Sequence, residues 1–171
     1  MTDEHRNEYL FYIADEEMRH REPDIAYQIL RELVWRSPYW RHEAWELLSK
    51  CAEACGNHEE AAKAQINSDL IKAQQDMHPF GDKGYRWDVN ITHGMPDEAR
   101  NESFLNSALE KIQLNELEVA YQILKELVWR SPCWRHEAWE LLSQCATLCG
   151  QHEEAAKAKD NGIFLKKRQI N

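Results

Sequence analysis

The sequence predicts an all-α protein of helical hairpins: about eight helices in two duplicated four-helix units, joined by an extended connector. Two observations predict this architecture. The segment AYQILRELVWRSPYWRHEAWELLSKCAEACG, at 26–56, returns almost unchanged at 120–150, which is a shift of 94 positions. Within each copy, apolar residues recur three and four positions apart, which is the spacing of one face of a helix.

The duplication is larger than this segment. Residues 1–77 and 95–171 are identical at 45 of 77 aligned positions, and 33 of these identities lie within 26–64. We therefore expect two units with the same fold, 1–77 and 95–171, and a connector at 78–94 that has no counterpart.

The first two helices of each unit have clear local signals. Thr2 is a favourable N-cap, and Asp3 and Glu4 place negative charge in the first turn, where the helix dipole favours it. An apolar stripe predicts the second helix. Its residues are Ala26, Ile29, Leu30, Leu33 and Val34.

The third and fourth helices are predicted from their ends. Ser37 and Pro38 predict the start of the third helix, because serine caps helices and proline is tolerated at the first helical position. Gly56 predicts its end in a left-handed conformation. Asn57 and Glu60, three positions apart, indicate the start of the fourth helix. The apolar face of the third helix is Ala44, Leu47, Leu48, Cys51, Ala52 and Cys55.

This pattern resembles the tetratricopeptide repeat (TPR), a helix pair of about 34 residues. The matching residues are Ala26, Pro38, Ala44, Trp45, Leu48, Ala52, Gly56, Glu60, Ala61 and Ala64, with Ala120, Pro132, Ala138, Trp139 and Ala155 in the second copy. The resemblance implies four TPR-like hairpins, stacked two and two. It also implies a non-catalytic interaction scaffold, adaptor or assembly chaperone that holds a peptide segment of a partner protein in a groove.

In TPR proteins the first helix of each pair lines that groove. Counting from Trp45 and Pro38, the resemblance places Glu8, Phe11, Asp15, Met18, Glu43, Glu46, Lys50 and Glu53 there in the first unit. In the second unit it places Glu102, Leu105, Leu109, Ile112, Glu137, Glu140, Gln144 and Thr147 there. Residues 1–94 hold 11 Lys and Arg against 18 Asp and Glu, so we expect the first groove to attract a basic segment. The second groove is expected to grip apolar residues.

The densest cluster of unusual residues lies before Trp45, which we expect to be buried in the core. Trp40 is expected to pack across the turn against the neighbouring hairpin, with Arg36 or Arg41 stacked on its ring. The alternative is a corner that binds an anion or an aromatic group. Its residues would be Arg36, Trp40, Arg41 and His42, with Arg130, Trp134, Arg135 and His136 in the second copy.

Two cysteines and a histidine recur in each copy, as Cys51, Cys55 and His58 and as Cys145, Cys149 and His152. Thiolate and imidazole ligands suit zinc or copper, so a metal- or thiol-responsive protein is the alternative function. Each copy offers only three ligands, however, and the cysteines fall on the apolar stripe. We therefore favour their role as small buried residues and expect no metal and no cofactor.

The connector carries a different pattern. Tyr85, Trp87, Val89 and Ile91 alternate with polar residues, which is typical of an extended segment. We expect a loop that covers the joint between the copies, and the alternative is a built-in peptide that occupies a groove.

Composition and the absence of certain motifs argue against several classes of protein. A net charge of -9 argues against nucleic acid as the partner. The absence of a run of 18 apolar residues argues against membrane insertion, and the start of the chain lacks a signal-peptide core, so we expect a cytoplasmic protein. No phosphate-binding glycine loop, nucleophile elbow or HExxH motif occurs, so we expect no enzyme. Homo-oligomerisation stays open.

Overall fold

The computed structural model describes residues 2–77 and 98–168, and these residues form eight helices and no strand. The first four are α1 (Asp3–Arg19), α2 (Pro23–Arg36), α3 (His42–Ala54) and α4 (His58–Met77). The second four are α5 (Glu98–Gln113), α6 (Leu117–Arg130), α7 (His136–Leu148) and α8 (His152–Arg168). The all-α prediction is confirmed. The predicted connector at 78–94 lies outside the described residues.

The chain divides into two compact units, Met1–Gly81 and Asp82–Asn171. In the first unit, α1 packs on α2, α2 on α3 and α3 on α4, and α1 also contacts α3. In the second unit, α5, α6, α7 and α8 pack on one another in the same consecutive order. Each unit is thus a pair of helical hairpins, an arrangement compatible with a helical repeat.

The core of each unit is built around one tryptophan of the third helix. Trp45 and Trp139 each expose 1% of their surface, which confirms the prediction that Trp45 is buried. The large side chains buried with them are Leu30, Leu33, Leu48 and Ile71 in the first unit, and Leu124, Leu127, Leu142 and Leu165 in the second. Such packing of amphipathic faces supplies most of the stability of helices this short.

Several predicted helix ends are confirmed. The Thr2 hydroxyl accepts a hydrogen bond from the backbone N–H of His5 and caps α1. Gly56 has a φ of 83° after α3, and Gly150 has a φ of 80° after α7. Both adopt the left-handed conformation that glycine enters without a steric penalty, which allows the chain to reverse into the next helix.

The predicted start of the third helix at Ser37 and Pro38 is wrong. Ser37 is instead the C-cap of α2, where its backbone N–H donates to the carbonyl of Leu33 at 2.9 Å. The chain then turns, with the N–H of Trp40 donating to the carbonyl of Ser37 at 3.2 Å, and α3 begins only at His42. Serine and proline at the start of a helix gave a false signal because the same residues also suit a turn that follows a helix.

Candidate functional site

The turn between α2 and α3 is held by the core tryptophan that follows it. The indole Nε1 of Trp45 donates to the carbonyl oxygen of Pro38 at 2.8 Å. Arg41, the last residue before α3, is extended at φ -148° and ψ 138°. As a result, Trp40 and Arg41 lie outside the helix, at its N-terminal end.

Trp40 and Arg41 both bind acidic residues at the start of α1. The indole Nε1 of Trp40 donates to one carboxylate oxygen of Glu4 at 2.7 Å, and Arg41 donates to the other at 3.1 Å. Arg41 also donates to Glu8 at 3.0 Å, and its guanidinium carbon lies 4.5 Å from the centre of the Trp40 ring. We call these four residues the clasp. It ties the start of α1 to the start of α3.

The clasp is repeated in the second unit. Trp134 donates to Glu98 at 2.7 Å, and Arg135 donates to Glu98 at 3.2 Å and to Glu102 at 2.9 Å. Arg135 lies over the ring of Trp134 at the same 4.5 Å. The copies differ in burial, because Trp134 exposes only 4% of its surface whereas Trp40 is half-buried.

The packing prediction for Trp40 is therefore confirmed, and Arg41 is the arginine that stacks on it. The other members of the predicted corner contact residues outside the clasp. Arg36 forms an ion pair with Glu32 at 2.6 Å, and His42 lies 3.2 Å from Glu43. In the second unit Arg130 pairs in the same way with Glu126, and His136 with Glu137. Within the clasp, Arg41 and Arg135 donate hydrogen bonds to the protein's own carboxylates.

The predicted groove residues of α3 share one solvent-facing stripe. Glu43, Glu46, Lys50 and Glu53 are exposed or half-buried, and they recur three and four positions apart. Each of the three carboxylates has a basic neighbour within the unit, which for Glu43 is His42. Glu46 lies 3.4 Å from the ammonium of Lys50, and Glu53 lies 3.0 Å from His58.

The predicted groove residues of α1 adjoin the clasp. Glu8 belongs to it, and the ring of Phe11 meets the ring of Trp40 edge-on at 6.0 Å between centroids. Asp15, two turns after Glu8, pairs with Arg19 at 2.8 Å. We define the α1–α3 surface as Glu8, Phe11 and Asp15 of α1 with Glu43, Glu46, Lys50 and Glu53 of α3. The clasp joins its two rows at one end.

The equivalent α5–α7 surface is more apolar. Leu105 takes the position of Phe11, and the exposed Leu109 takes that of Asp15. Glu137 and Glu140 follow on α7, and both interact with His136 at 3.2 Å. We define the α5–α7 surface by these two leucines and two glutamates together with Glu102 of the clasp.

The cysteines do not combine with the histidines into a metal site. Within residues 2–77 and 98–168, no group of three or more His, Cys, Asp and Glu side chains is placed to hold a metal ion. Cys51 is buried, and this burial raises the pKa of its thiol to about 12. Desolvation and the hydrogen bond to Asp24 raise the pKa of Cys55 to about 11. All described cysteines are free thiols, and these two are protonated at neutral pH.

Sequence reasoning missed Glu4 and its counterpart Glu98, although each accepts two hydrogen bonds in its clasp. Glu4 was assigned only to the acidic first turn of a helix, and Glu98 was assigned no role. A signal was present, since Glu4 and Glu8 are spaced one helical turn apart and both recur at the equivalent positions of the second copy. That repetition lies outside the strongly identical segment 26–64.

None of the described helices is long and apolar enough to cross a membrane. Comparison with protein-family models and with curated protein sequences gives no match for this chain.

Proposed function

We propose that this chain is a non-catalytic interaction scaffold of the TPR-like type, an adaptor or assembly chaperone that binds a segment of a partner protein. The α1–α3 surface is the proposed binding site of the first unit, and the α5–α7 surface is that of the second. The observation that carries the proposal is the clasp, in which Arg41 at the start of α3 binds Glu8 of the predicted groove residues of α1 at 3.0 Å.

Charge supports a basic segment as the ligand of the α1–α3 surface. Five of its seven residues are carboxylates, and Lys50 is its one basic member. Arg19 and Arg41 offset Asp15 and Glu8, but these are exposed ion pairs of the kind that contribute little free energy. Exposed carboxylates along a surface mainly accelerate the encounter with a basic partner.

The α5–α7 surface is suited to apolar contact with the partner. Leu105 and Leu109 offer apolar area one turn apart on α5, where the first unit has Phe11 and Asp15. An amphipathic or extended segment binds to such a surface through apolar side chains at regular spacing. We therefore propose that the first unit attracts a basic stretch of the partner and the second holds its apolar residues.

The test uses peptides selected from a random displayed library against the wild-type chain. We expect the selected peptides to combine Lys and Arg with apolar residues. Their affinity is then measured for wild type and for the double variant Glu43→Lys/Glu46→Lys, at low and at high salt. Reversing two exposed charges should weaken binding about tenfold at low salt. The loss should shrink at high salt, where exposed charges are screened.

The duplication supplies a matched control. Glu137→Lys/Glu140→Lys makes the same change in net charge on the equivalent stripe of α7, where the proposal assigns binding to Leu105 and Leu109 rather than to the carboxylates. We expect a smaller loss of affinity for it. Selection that yields no peptide dependent on either surface would show that the proposed function is wrong.

A further inference from the structure

The outer face of α1 is an exposed aromatic patch in an acidic helix. Tyr9 and Tyr12 expose 58% and 62% of their surfaces, and Glu16 follows them on the same face. We define the α1 outer face by these three residues. The whole helix carries six carboxylates and two arginines. Tyrosine is one of the residues enriched in protein–protein interfaces.

The outer face of α8 has the opposite character. Ile163 exposes 43% of its surface, and the exposed lysines Lys159, Lys166 and Lys167 lie three or four positions from it. We define the α8 outer face by these four residues. The helix carries five basic residues and three carboxylates, and the basic ones are concentrated in its last turn.

Neither face is fully repeated in the other unit, although Glu16 and Lys166 have the identical counterparts Glu110 and Lys72. At the positions of Tyr9 and Tyr12, α5 has Ser103 and Asn106. At the positions of Lys159, Ile163 and Lys167, α4 has the residues Gln65, Asp69 and Ala73. The two copies have therefore diverged at surface positions where the helical fold itself requires neither set of residues. The residues that differ give the α1 outer face two aromatic rings beside Glu16, and the α8 outer face an isoleucine with two lysines in addition to Lys166.

We propose that the α1 outer face of one protein molecule binds the α8 outer face of a second molecule, head to tail. Ile163 packs against Tyr9 and Tyr12, and the lysines around it approach the acidic face of α1, where their aliphatic stems add apolar contact. Ammonium groups over the tyrosine rings gain a further attraction. This inference goes beyond the proposed function and does not depend on it, since its contact residues are not those of the α1–α3 surface, although Tyr12 adjoins Glu8 and Asp15 on the helix.

Existing ion pairs do not prevent this contact. Glu16 is paired with Arg19 at 2.9 Å, and Lys166 lies 4.0 Å from Glu140. Both pairs are on the surface, where exchange of partners costs little. A head-to-tail contact either closes into a ring, of which a dimer with two such contacts is the smallest, or continues into longer chains. Two helix faces bury less than about 1,200 Å² together, which is typical of weak association.

The test is sedimentation of the full chain from micromolar to millimolar concentration. We expect the mean mass to rise with concentration above the 20.2 kDa of one chain, and to rise less at high salt. In two variants, residues of one face are replaced by the residues at the equivalent positions of the other repeat. These replacements are compatible with the fold, because the other repeat has the same fold. Tyr9→Ser/Tyr12→Asn removes both aromatic residues of the α1 outer face and keeps Glu16. Lys159→Gln/Ile163→Asp/Lys167→Ala removes the α8 outer face except for Lys166. Each variant alone should stay monomeric.

Mixing the two variants gives the decisive result. Each retains the face that the other lacks, so an equimolar mixture should form a one-to-one pair that does not grow further. Far-ultraviolet circular dichroism of each variant should match wild type. A wild-type chain that stays monomeric overturns the proposal. Continued self-association of either variant, or failure of the mixture to pair, also overturns it, because the contact would then involve other surfaces.

Discussion

The indole nitrogen of Trp45 donates a hydrogen bond to the carbonyl oxygen of Pro38, seven residues earlier, and Trp139 makes the same bond to Pro132. A buried ring thus fixes the turn before the helix that carries it. Because that turn presents Trp40 and Arg41 to α1, the core and the candidate binding surface are linked through one side chain.

The core tryptophans should contribute more to the free energy of unfolding than the tryptophans of the clasp. Trp45→Ala and Trp139→Ala should each lower the free energy of unfolding by about 3–5 kcal/mol, as expected for a large buried aromatic. Trp40→Ala should cost clearly less, because that ring is half-buried. Trp134→Ala should lie between, because its ring is almost fully covered. Urea unfolding measures all four, and equal losses at Trp40 and Trp45 would contradict this assignment.

The clasp should contribute a small, salt-sensitive coupling. In a double-mutant cycle with Arg41→Gln and Glu8→Gln, we expect a coupling free energy of about 0.2–1 kcal/mol, since both side chains are about half exposed. The same cycle with Arg135→Gln and Glu102→Gln is the matched control in the second unit. Coupling that persists unchanged at high salt would contradict a screened surface interaction.

The end of α1 holds a strained residue. Arg21 has a φ of 62°, in the left-handed region that glycine enters most easily. Arg21→Gly should therefore raise the free energy of unfolding by about 1 kcal/mol, by the removal of that steric cost. Gly56→Ala should lower it by about as much, because Gly56 has a φ of 83°. Thermal unfolding distinguishes the two, and stabilisation by both changes would be inconsistent with this reasoning.

The cysteines should matter for packing and not for a ligand. Cys51→Ala/Cys55→Ala should lower stability by about 1–2 kcal/mol through lost buried volume, and leave the affinity for selected peptides unchanged. Metal analysis of protein purified without a histidine tag checks the alternative. Near-stoichiometric zinc in wild type, lost in the double variant together with the fold, would refute the packing role.

Alkaline pH should weaken the fold through the same thiols. Burial raises the pKa of Cys51 from 9.0 to about 12. The unfolded chain thus releases its proton first, and the stability that Cys51 contributes below pH 9 is lost as the pH rises from 9 toward 12. The free energy of unfolding, measured with urea at a series of pH values, should fall less steeply between pH 9 and 12 for Cys51→Ala than for wild type. Parallel curves would show that this thiol is not protected from ionisation in the fold.

The sequence by itself determined the helical hairpins. Periodic apolar residues such as Leu30, Leu33 and Val34 predict the buried face of α2, and Gly56 predicts the end of α3, because both signals depend on neighbours within a few residues. Because the sequence is duplicated, the same predictions apply at the equivalent positions of the second unit. Trp45 was predicted as a core residue from the resemblance to the TPR, in which an aromatic residue at this position is buried.

Only the tertiary structure decided where α3 begins and what Trp40 and Arg41 contact. The pattern around Ser37 and Pro38 fits both a helix start and a turn, and the long-range hydrogen bonds favour the turn. Glu4 is 36 residues from Trp40 along the chain, so no local pattern could pair them. Their contact exists because α1 packs against α3, and that packing depends on the combined burial of side chains from three helices.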